Sequence, residues 1–194
     1  ELSSTTLLLA GVAMNFFFSS VILFAQYTAS LGDSYRIVRW LMGGLGGVDL
    51  GTVVRMAPVV AMGAAVIVWH ARTLDLLATG SEIAASRGVA VAPTRTLLFL
   101  ATSVMVGGVV AACGPVGFVG MMAPHICRLL VGSNHRVLLP ASILFGGTFL
   151  VLCDTAARVV IFPAELPVGV ITAFLGAPFF LWLLVRQVRV PGTR

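Results

Sequence analysis

Apolar residues follow one another in long blocks along this chain, and short polar stretches separate the blocks. A block of about 18–25 residues, at a rise of about 1.5 Å per residue, forms a helix long enough to cross a bilayer. We therefore predict an all-α fold, an integral membrane helical bundle of about six transmembrane helices in a single domain over residues 1–194. The predicted spans cover residues 7–29, 53–70, 96–112, 115–131, 137–162 and 168–188.

The fourth block, GPVGFVGMMAPHICRLLVG, is apolar but interrupted by helix-breaking residues. These are Gly114, Pro115, Gly117, Gly120 and Pro124. Because glycine and proline disrupt a straight helix, we predict a broken span here. Broken backbone at membrane depth must be buried in protein or line a cavity. Close packing of helices through the small residues and a position beside a translocation path are both compatible with this block.

The longest polar stretch, ARTLDLLATGSEIAASRGVAVAPT, covers residues 71–94 and connects the second and third predicted spans. Small residues flank Glu82, and Gly88 follows six positions later. The pattern predicts two short helices at the membrane surface. They form either an ordinary connecting loop or a compact element to which a partner protein binds.

Composition excludes a soluble domain, because 59% of the residues are hydrophobic, 10% are charged and the mean hydropathy is +1.06. In soluble domains about a quarter of the residues are charged. The twelve cations are all arginines and lie scattered between the apolar blocks, which does not indicate a nucleic-acid-binding surface. We expect no nucleic acid partner, and lipid as the surroundings.

Arginine positions predict the orientation, because cations near span ends are retained in the cytoplasm. With the N-terminus of this segment and the C-terminus both cytoplasmic, the inner arginines are Arg72, Arg87, Arg95, Arg128, Arg136, Arg186, Arg189 and Arg194. The outer ones are Arg36, Arg39, Arg55 and Arg158. The excess favours this orientation over its reverse.

Catalytic and metal-binding motifs are missing from the sequence. It contains no P-loop and no lysine, no HExxH and no GxSxG, so ATP hydrolysis or other catalysis by this chain is not expected. His125 has no second ligand at metal spacing, and the three cysteines are read as small buried apolar residues. His135 is read as an interfacial or loop residue. We expect no metal and no cofactor on this chain.

Five short strings in register give the chain a family resemblance. They are Gly80–Ala85 with Gly88, GPVGFVGMMAPHICR (114–128), HRVLLP (135–140), DTAAR (154–158) and ELPVGVITAFLGAPFFLWLL (165–184). Together they resemble the FecCD family, the permease subunits of ATP-driven importers for iron–siderophore complexes, haem and vitamin B12. The resemblance covers essentially the whole chain. It implies the C-terminal six helices of a ten-helix permease, and we expect a fragment or a truncated product.

The resemblance implies partners and roles. It implies two copies of an ATPase subunit that carries ATP and Mg²⁺, a second permease copy, identical or paralogous, and a periplasmic or lipid-anchored substrate-binding protein. Residues 71–94 would couple to the ATPase through Glu82, Ala84 and Gly88. The residues of the interrupted fourth block would lie near the translocation path and its gate. The implied location is the bacterial inner membrane.

Arg158 follows Asp154 by four positions, so the two side chains can pair along one helix turn. A merely local pair is one reading. The resemblance implies the other, in which Arg158 receives acidic residues of the binding protein and Asp154 orients it.

The sequence is also compatible with two other functions. A secondary transporter would carry an ionisable residue or a discontinuous helix near midplane, and only the interrupted block supports it. A membrane enzyme is a weaker third possibility. Among substrates, an iron–siderophore complex is the first choice, with cobalamin and haem behind it, although WLMGGLGGVDL (40–50) is most similar to vitamin B12 permeases.

Overall fold

The computed structural model describes residues 4–161 and 165–188, and helices account for most of them. The chain divides into two compact units, residues 1–41 and residues 42–194, whereas the sequence predicts a single domain. The first unit contains α1 (Ser4–Thr28) and α2 (Leu31–Leu41). The helices of the second unit are α3 (Leu50–Trp69), α4 (Ala71–Ala78), α5 (Ser81–Ser86), α6 (Val91–Cys113), α7 (Val119–Val131), α8 (His135–Val159) and α9 (Val168–Val188).

In the first unit, a capping interaction starts α2 directly after α1. The Ser30 hydroxyl donates to the Asp33 carboxylate at 2.7 Å and accepts the Asp33 backbone N–H at 3.3 Å. This reciprocal pair satisfies an N-terminal backbone group that the helix itself leaves unpaired. The Ser34 hydroxyl also donates to the Gln26 carbonyl at 3.2 Å, which joins the two helices.

Among the described residues, five helices are long and apolar enough to cross a membrane: α1, α3, α6, α8 and α9. The predicted fourth span is instead the 13-residue helix α7, preceded by non-helical residues 114–118. Helix α6 begins at Val91, so it includes the last residues of the stretch predicted as a loop. The fold class predicted from the sequence, an all-α membrane bundle, is confirmed.

The second unit is held together by helix pairs that approach closely at small residues. Helix α3 packs along α6, where Gly63 lies against Met105 and the Ala101 carbonyl. Helix α7 packs along α8, where Gly146 faces Ala123. Small residues let helices approach closely, which is how helices associate in lipid, where apolar burial supplies little driving force.

Three connections meet at one end of the second unit, and we call the meeting point the glycine junction: Gly43, Gly44 and Gly169 with the backbone of Cys113 and Pro115. The Gly44 N–H donates to the Cys113 carbonyl at 2.8 Å, and the Gly169 N–H donates to the Gly43 carbonyl at 3.1 Å. Gly43 has a φ of 71°, and a Cβ there would overlap the Pro115 carbonyl. The junction therefore fixes the starts of α3 and α9 beside the end of α6.

Most apolar side chains of the described residues face outward. The apolar windows of α1 and α6 contain no buried residue, and Phe16 of α1 and Leu144 of α8 are examples of exposed side chains. Exposing a large apolar side chain to water costs about 1.5–3 kcal/mol. Surfaces of this kind are stable only against lipid or another protein surface.

Candidate functional site

The stretch between α3 and α6 folds into a compact corner, which we call the α4–α5 corner (residues 71–90). Helix α4 ends at Ala78, and Gly80, with a φ of 123°, reverses the chain into α5. After α5, the Val89 N–H donates back to the Ala84 carbonyl at 3.0 Å. This return bond, together with contacts of α5 to α4 and α6, gives the corner a defined shape.

The three residues predicted for partner contact occupy different places in this corner. Glu82 and Gly88 are exposed, whereas Ala84 is 0% exposed. The Ala84 side chain therefore has no accessible surface in this chain, and its part in the coupling contact stays a prediction. Ala84 forms the packed inner face of the corner and thereby positions Glu82.

The α4–α5 corner is joined to α8 by a contact that the sequence does not indicate. The Asp75 carboxylate oxygen Oδ1 lies 2.9 Å from the His135 backbone N and 2.6 Å from its ring Nδ1. Asp75 is half-buried and His135 is largely buried, and the two are 60 positions apart. The Asp75 pKa is lowered by the His135 backbone hydrogen bond, followed by the ring contact, so the carboxylate is ionised at neutral pH.

Two acceptors therefore satisfy the first backbone groups of α8. The Asn134 side chain accepts from the Arg136 N–H at 3.0 Å, and Asp75 accepts from the neighbouring His135 N–H. A carboxylate at a helix N-terminus is further favoured by the helix dipole. The sequence analysis interpreted His135 as an interfacial or loop residue and did not identify this contact, because Asp75 is 60 positions away.

The entry to α7 is the strained part of the interrupted block. Phe118 has a φ of 67°, which is rare for a residue with a side chain, and its ring lies against Gly176 of α9 and 6.0 Å from the ring of Phe180. A Cβ at Gly176 would overlap Phe118. Packing of this ring into the notch at Gly176 offsets the cost of the backbone conformation.

The five residues predicted for the path and gate differ in their surroundings. Gly114 is buried and Pro115 belongs to the glycine junction, whereas Gly117 and Gly120 are exposed with open space beside their backbone. Pro124 lies inside α7, which continues through it to Val131. The break predicted for this block therefore falls before Val119 alone.

At the end of α8 opposite to His135, Arg158 and Asp154 form an ion pair. The Arg158 Nε donates to Asp154 Oδ2 at 2.8 Å, and the side chains are 48% and 23% exposed, respectively. Glu165, which follows in the chain, is exposed and near enough to act electrostatically on Arg158. Arg158 is thus oriented by one carboxylate while much of its guanidinium surface stays accessible.

Within residues 4–161 and 165–188, no group of three His, Cys, Asp or Glu side chains is arranged to hold a metal ion. The ring of His125 packs edge-on against Phe179, with centroids 6.2 Å apart. Cys127 and Cys153 are buried, free cysteines. These groups act as packing residues of the bundle.

Comparison with known proteins gives consistent results. A model of the FecCD transport family matches residues 1–186. The vitamin B12 import system permease protein BtuC of Salmonella typhi is 41% identical over 192 residues, 97% of this chain and 58% of that protein. The corresponding protein of Klebsiella pneumoniae is 43% identical over 190 residues, 96% of this chain and 56% of that protein.

A solved structure described as an inward-facing conformation of a candidate metal-chelate type ABC transporter also matches. Its TM-score is 0.86 at 32% sequence identity, covering 95% of this chain and 60% of that one. The chain thus spans less than two thirds of the length of these relatives.

Proposed function

The chain belongs to the FecCD transport family, and from this premise we propose that it is part of the permease subunit of an ATP-binding cassette importer. The permease would move a metal chelate, either an iron–siderophore complex, haem or cobalamin, from the periplasm or cell exterior into the cytoplasm. The chain is a multi-pass membrane protein, as its apolar helices and its permease relatives indicate. Energy would come from ATP hydrolysed with Mg²⁺ on a separate ATPase subunit.

The observation that carries this proposal is the placement of two accessible charged sites at opposite ends of the second unit. The α4–α5 corner presents Glu82 at the end where α8 begins, and Arg158 stands where α8 ends. An importer of this type needs a contact for the ATPase on one side of the membrane and one for the binding protein on the other. Both contacts are supported here by defined local structure.

Arginine positions support a cytoplasmic location for the α4–α5 corner. In the described part of the second unit, the corner end carries Arg72, Arg87, Arg95, Arg128 and Arg136. The opposite end carries Arg55 and Arg158. Because cations concentrate on the cytoplasmic side, we place Glu82 inside the cell and Arg158 outside.

The proposed assembly contains two ATPase subunits, a second permease copy and a substrate-binding protein. Glu82 would meet a cation or backbone N–H group of the ATPase, because a carboxylate forms its strongest hydrogen bonds with such donors. Arg158 would meet an acidic residue of the binding protein, for which its planar guanidinium is well suited. The exposed apolar helix faces would be covered by lipid and by further permease helices.

Cobalamin now stands first among the proposed substrates, ahead of the iron–siderophore complex favoured from the sequence. Relatives that share 41% and 43% identity with nearly the whole chain are vitamin B12 permeases. The structural relative at 32% identity is of the metal-chelate type. Competition between labelled cyanocobalamin, ferric siderophore and haemin for uptake by the full-length transporter distinguishes the three.

The ATPase contact is tested by co-purification of the full-length permease with its ATPase. We expect Glu82→Lys to release the ATPase, because it puts a cation where the partner presents a donor. Glu165→Lys is the matched control, since Glu165 is also an exposed glutamate but lies at the opposite end. Retention of the ATPase by Glu82→Lys would refute the coupling role. Uptake that continues without any ATPase would favour a secondary transporter.

A further inference from the structure

The contact between Asp75 and His135 connects the α4–α5 corner to the longest helix of the second unit. Asp75 lies in the middle of α4, and His135 is the first residue of the 25-residue helix α8. The two helices pack against each other, so the hydrogen bonds lie within an existing interface. Any displacement of α4 therefore acts on the start of α8.

The geometry makes this a specific contact and not a chance surface pair. One Asp75 carboxylate oxygen lies 2.9 Å from the backbone N and 2.6 Å from the ring Nδ1 of the same residue, His135. Exposed ion pairs contribute little, but hydrogen bonds that a partly buried backbone N–H donates to a charged acceptor are among the stronger ones in proteins. The backbone bond also fixes the height of α8 relative to α4, because the first N–H of a helix cannot shift without breaking it.

Helix α8 extends from this contact to the Asp154–Arg158 pair. Arg158 lies 23 positions after His135, which corresponds to about 35 Å of helix at about 1.5 Å per residue. Helix α8 is continuous over this distance and continues through Pro140, so a displacement of its first residue is passed along its axis. One helix thus has the corner that we propose for ATPase docking at its beginning and the proposed binding-protein contact at its end.

We propose that Asp75 and His135 are positioning residues that couple movement of the α4–α5 corner to movement of α8. This rests on the proposed function. When the ATPase moves the corner, α8 follows through the bonds to its first residue, and docking at Arg158 acts in the reverse direction. Neither residue touches substrate or nucleotide, so they influence the cycle only through the position of α8.

The test uses the full-length transporter with its ATPase in proteoliposomes, and measures how far the ligand-free binding protein stimulates ATP hydrolysis. We expect Asp75→Ala and His135→Ala to keep the ATPase bound and to keep basal hydrolysis. Stimulation should fall about tenfold in Asp75→Ala, which loses both hydrogen bonds, and less in His135→Ala, which keeps the backbone N–H and loses only the ring contact. The double variant should fall no further than Asp75→Ala, because the acceptor is already missing there.

Two further variants separate positioning from folding. His135→Asn keeps a donor close to the position of the ring Nδ1 and should restore most of the stimulation. Asp49→Ala is the matched control, because Asp49 also accepts a backbone N–H at a helix start, from Thr52 at 3.1 Å, but caps its own helix. It should leave the stimulation unchanged.

The outcomes are distinct. Full stimulation in both alanine variants, additive losses in the double variant, or loss of the bound ATPase would overturn the coupling role. Failure of His135→Asn to exceed His135→Ala would do the same. An unaltered transporter whose ATPase the binding protein does not stimulate would refute the proposed function itself, and this inference with it.

Discussion

Gly169 is the residue at which the backbone of the second unit is most crowded. It is buried at the start of α9, its N–H donates to the Gly43 carbonyl, and a Cβ there would overlap the Met42 carbonyl. The clash is with backbone, which cannot rotate away as a side chain can. Only glycine fits this position without displacing α9 or the connection before α3.

We expect Gly169→Ala to lower the free energy of unfolding by about 1–3 kcal/mol, the usual cost of overpacking. Gly107→Ala in α6 is the control, because nothing lies within 4 Å of the added Cβ and alanine favours a helix. Thermal unfolding of the detergent-solubilised protein measures both. An unchanged midpoint for Gly169→Ala would contradict the close approach.

Arg158 provides the second residue-level prediction. Arg158→Ala should weaken binding of the substrate-binding protein about tenfold, and Arg158→Lys should recover only part of it, because lysine lacks the planar pair of donors. Arg55→Ala is the control at the same end, where Arg55 bonds to the Gly51 carbonyl at 3.2 Å. Titration of the binding protein onto the reconstituted transporter measures the affinity, and equal losses for Arg55→Ala and Arg158→Ala would argue against a specific site.

Some of these contacts can be predicted from the sequence and others cannot. The spacing of Asp154 and Arg158 predicts their pair, because four positions form one helix turn, and the structure contains it. The burial of Ala84 is not predictable from spacing, because it depends on how α5 folds back onto α4 and α6. No spacing rule relates Asp75 to His135.

At the scale of elements, the α4–α5 corner depends on small residues on its inner side. Ala84 is wholly buried, whereas the next residue, Ala85, is exposed. A larger side chain at Ala84 must push α5 away from its neighbours, but one at Ala85 extends outward. The two adjacent alanines therefore test the folded shape of the corner directly.

Ala84→Leu should open the corner and expose the bond after Arg87 to trypsin. At an overpacking cost of about 1–3 kcal/mol, the rate of cleavage should rise about 5- to 150-fold, since cleavage follows the open population. Ala85→Leu should leave the rate near that of the unaltered chain. The assay needs no partner protein, and equal rates for the two variants would show that the corner is not packed as described.

The apolar blocks identified the long helices but not their first residues. The predicted spans begin at 53 and 137, whereas α3 and α8 begin at Leu50 and His135, where the Asp49 and Asn134 side chains cap them. The interrupted block was harder to interpret, because helix α7 tolerates Gly120 and Pro124, and the break lies before Val119. Packing against α8 and α9 decides this, since neighbouring helices compensate for a proline in a membrane helix.

At the scale of the whole molecule, the orientation predicts which connections face the cytoplasm. The variant Arg87→Cys adds a labelling site in the α4–α5 corner, and Gly47→Cys adds one in the connection before α3. A membrane-impermeant maleimide on intact spheroplasts should modify Gly47→Cys, and Arg87→Cys only after permeabilisation. The parent chain measures the background from its native cysteines, and the reverse labelling pattern would invert the proposed topology.

The sequence by itself determined that the protein is an all-α membrane bundle of the FecCD family, because hydropathy and the family strings are local properties that each block carries alone. The tertiary structure decided which groups meet: Asp75 with His135, Gly43 with Gly169, and Phe118 with Gly176. These contacts join distant parts of the chain. They arise only when whole helices pack, and packing depends on the shapes of two surfaces at once, which no local pattern contains.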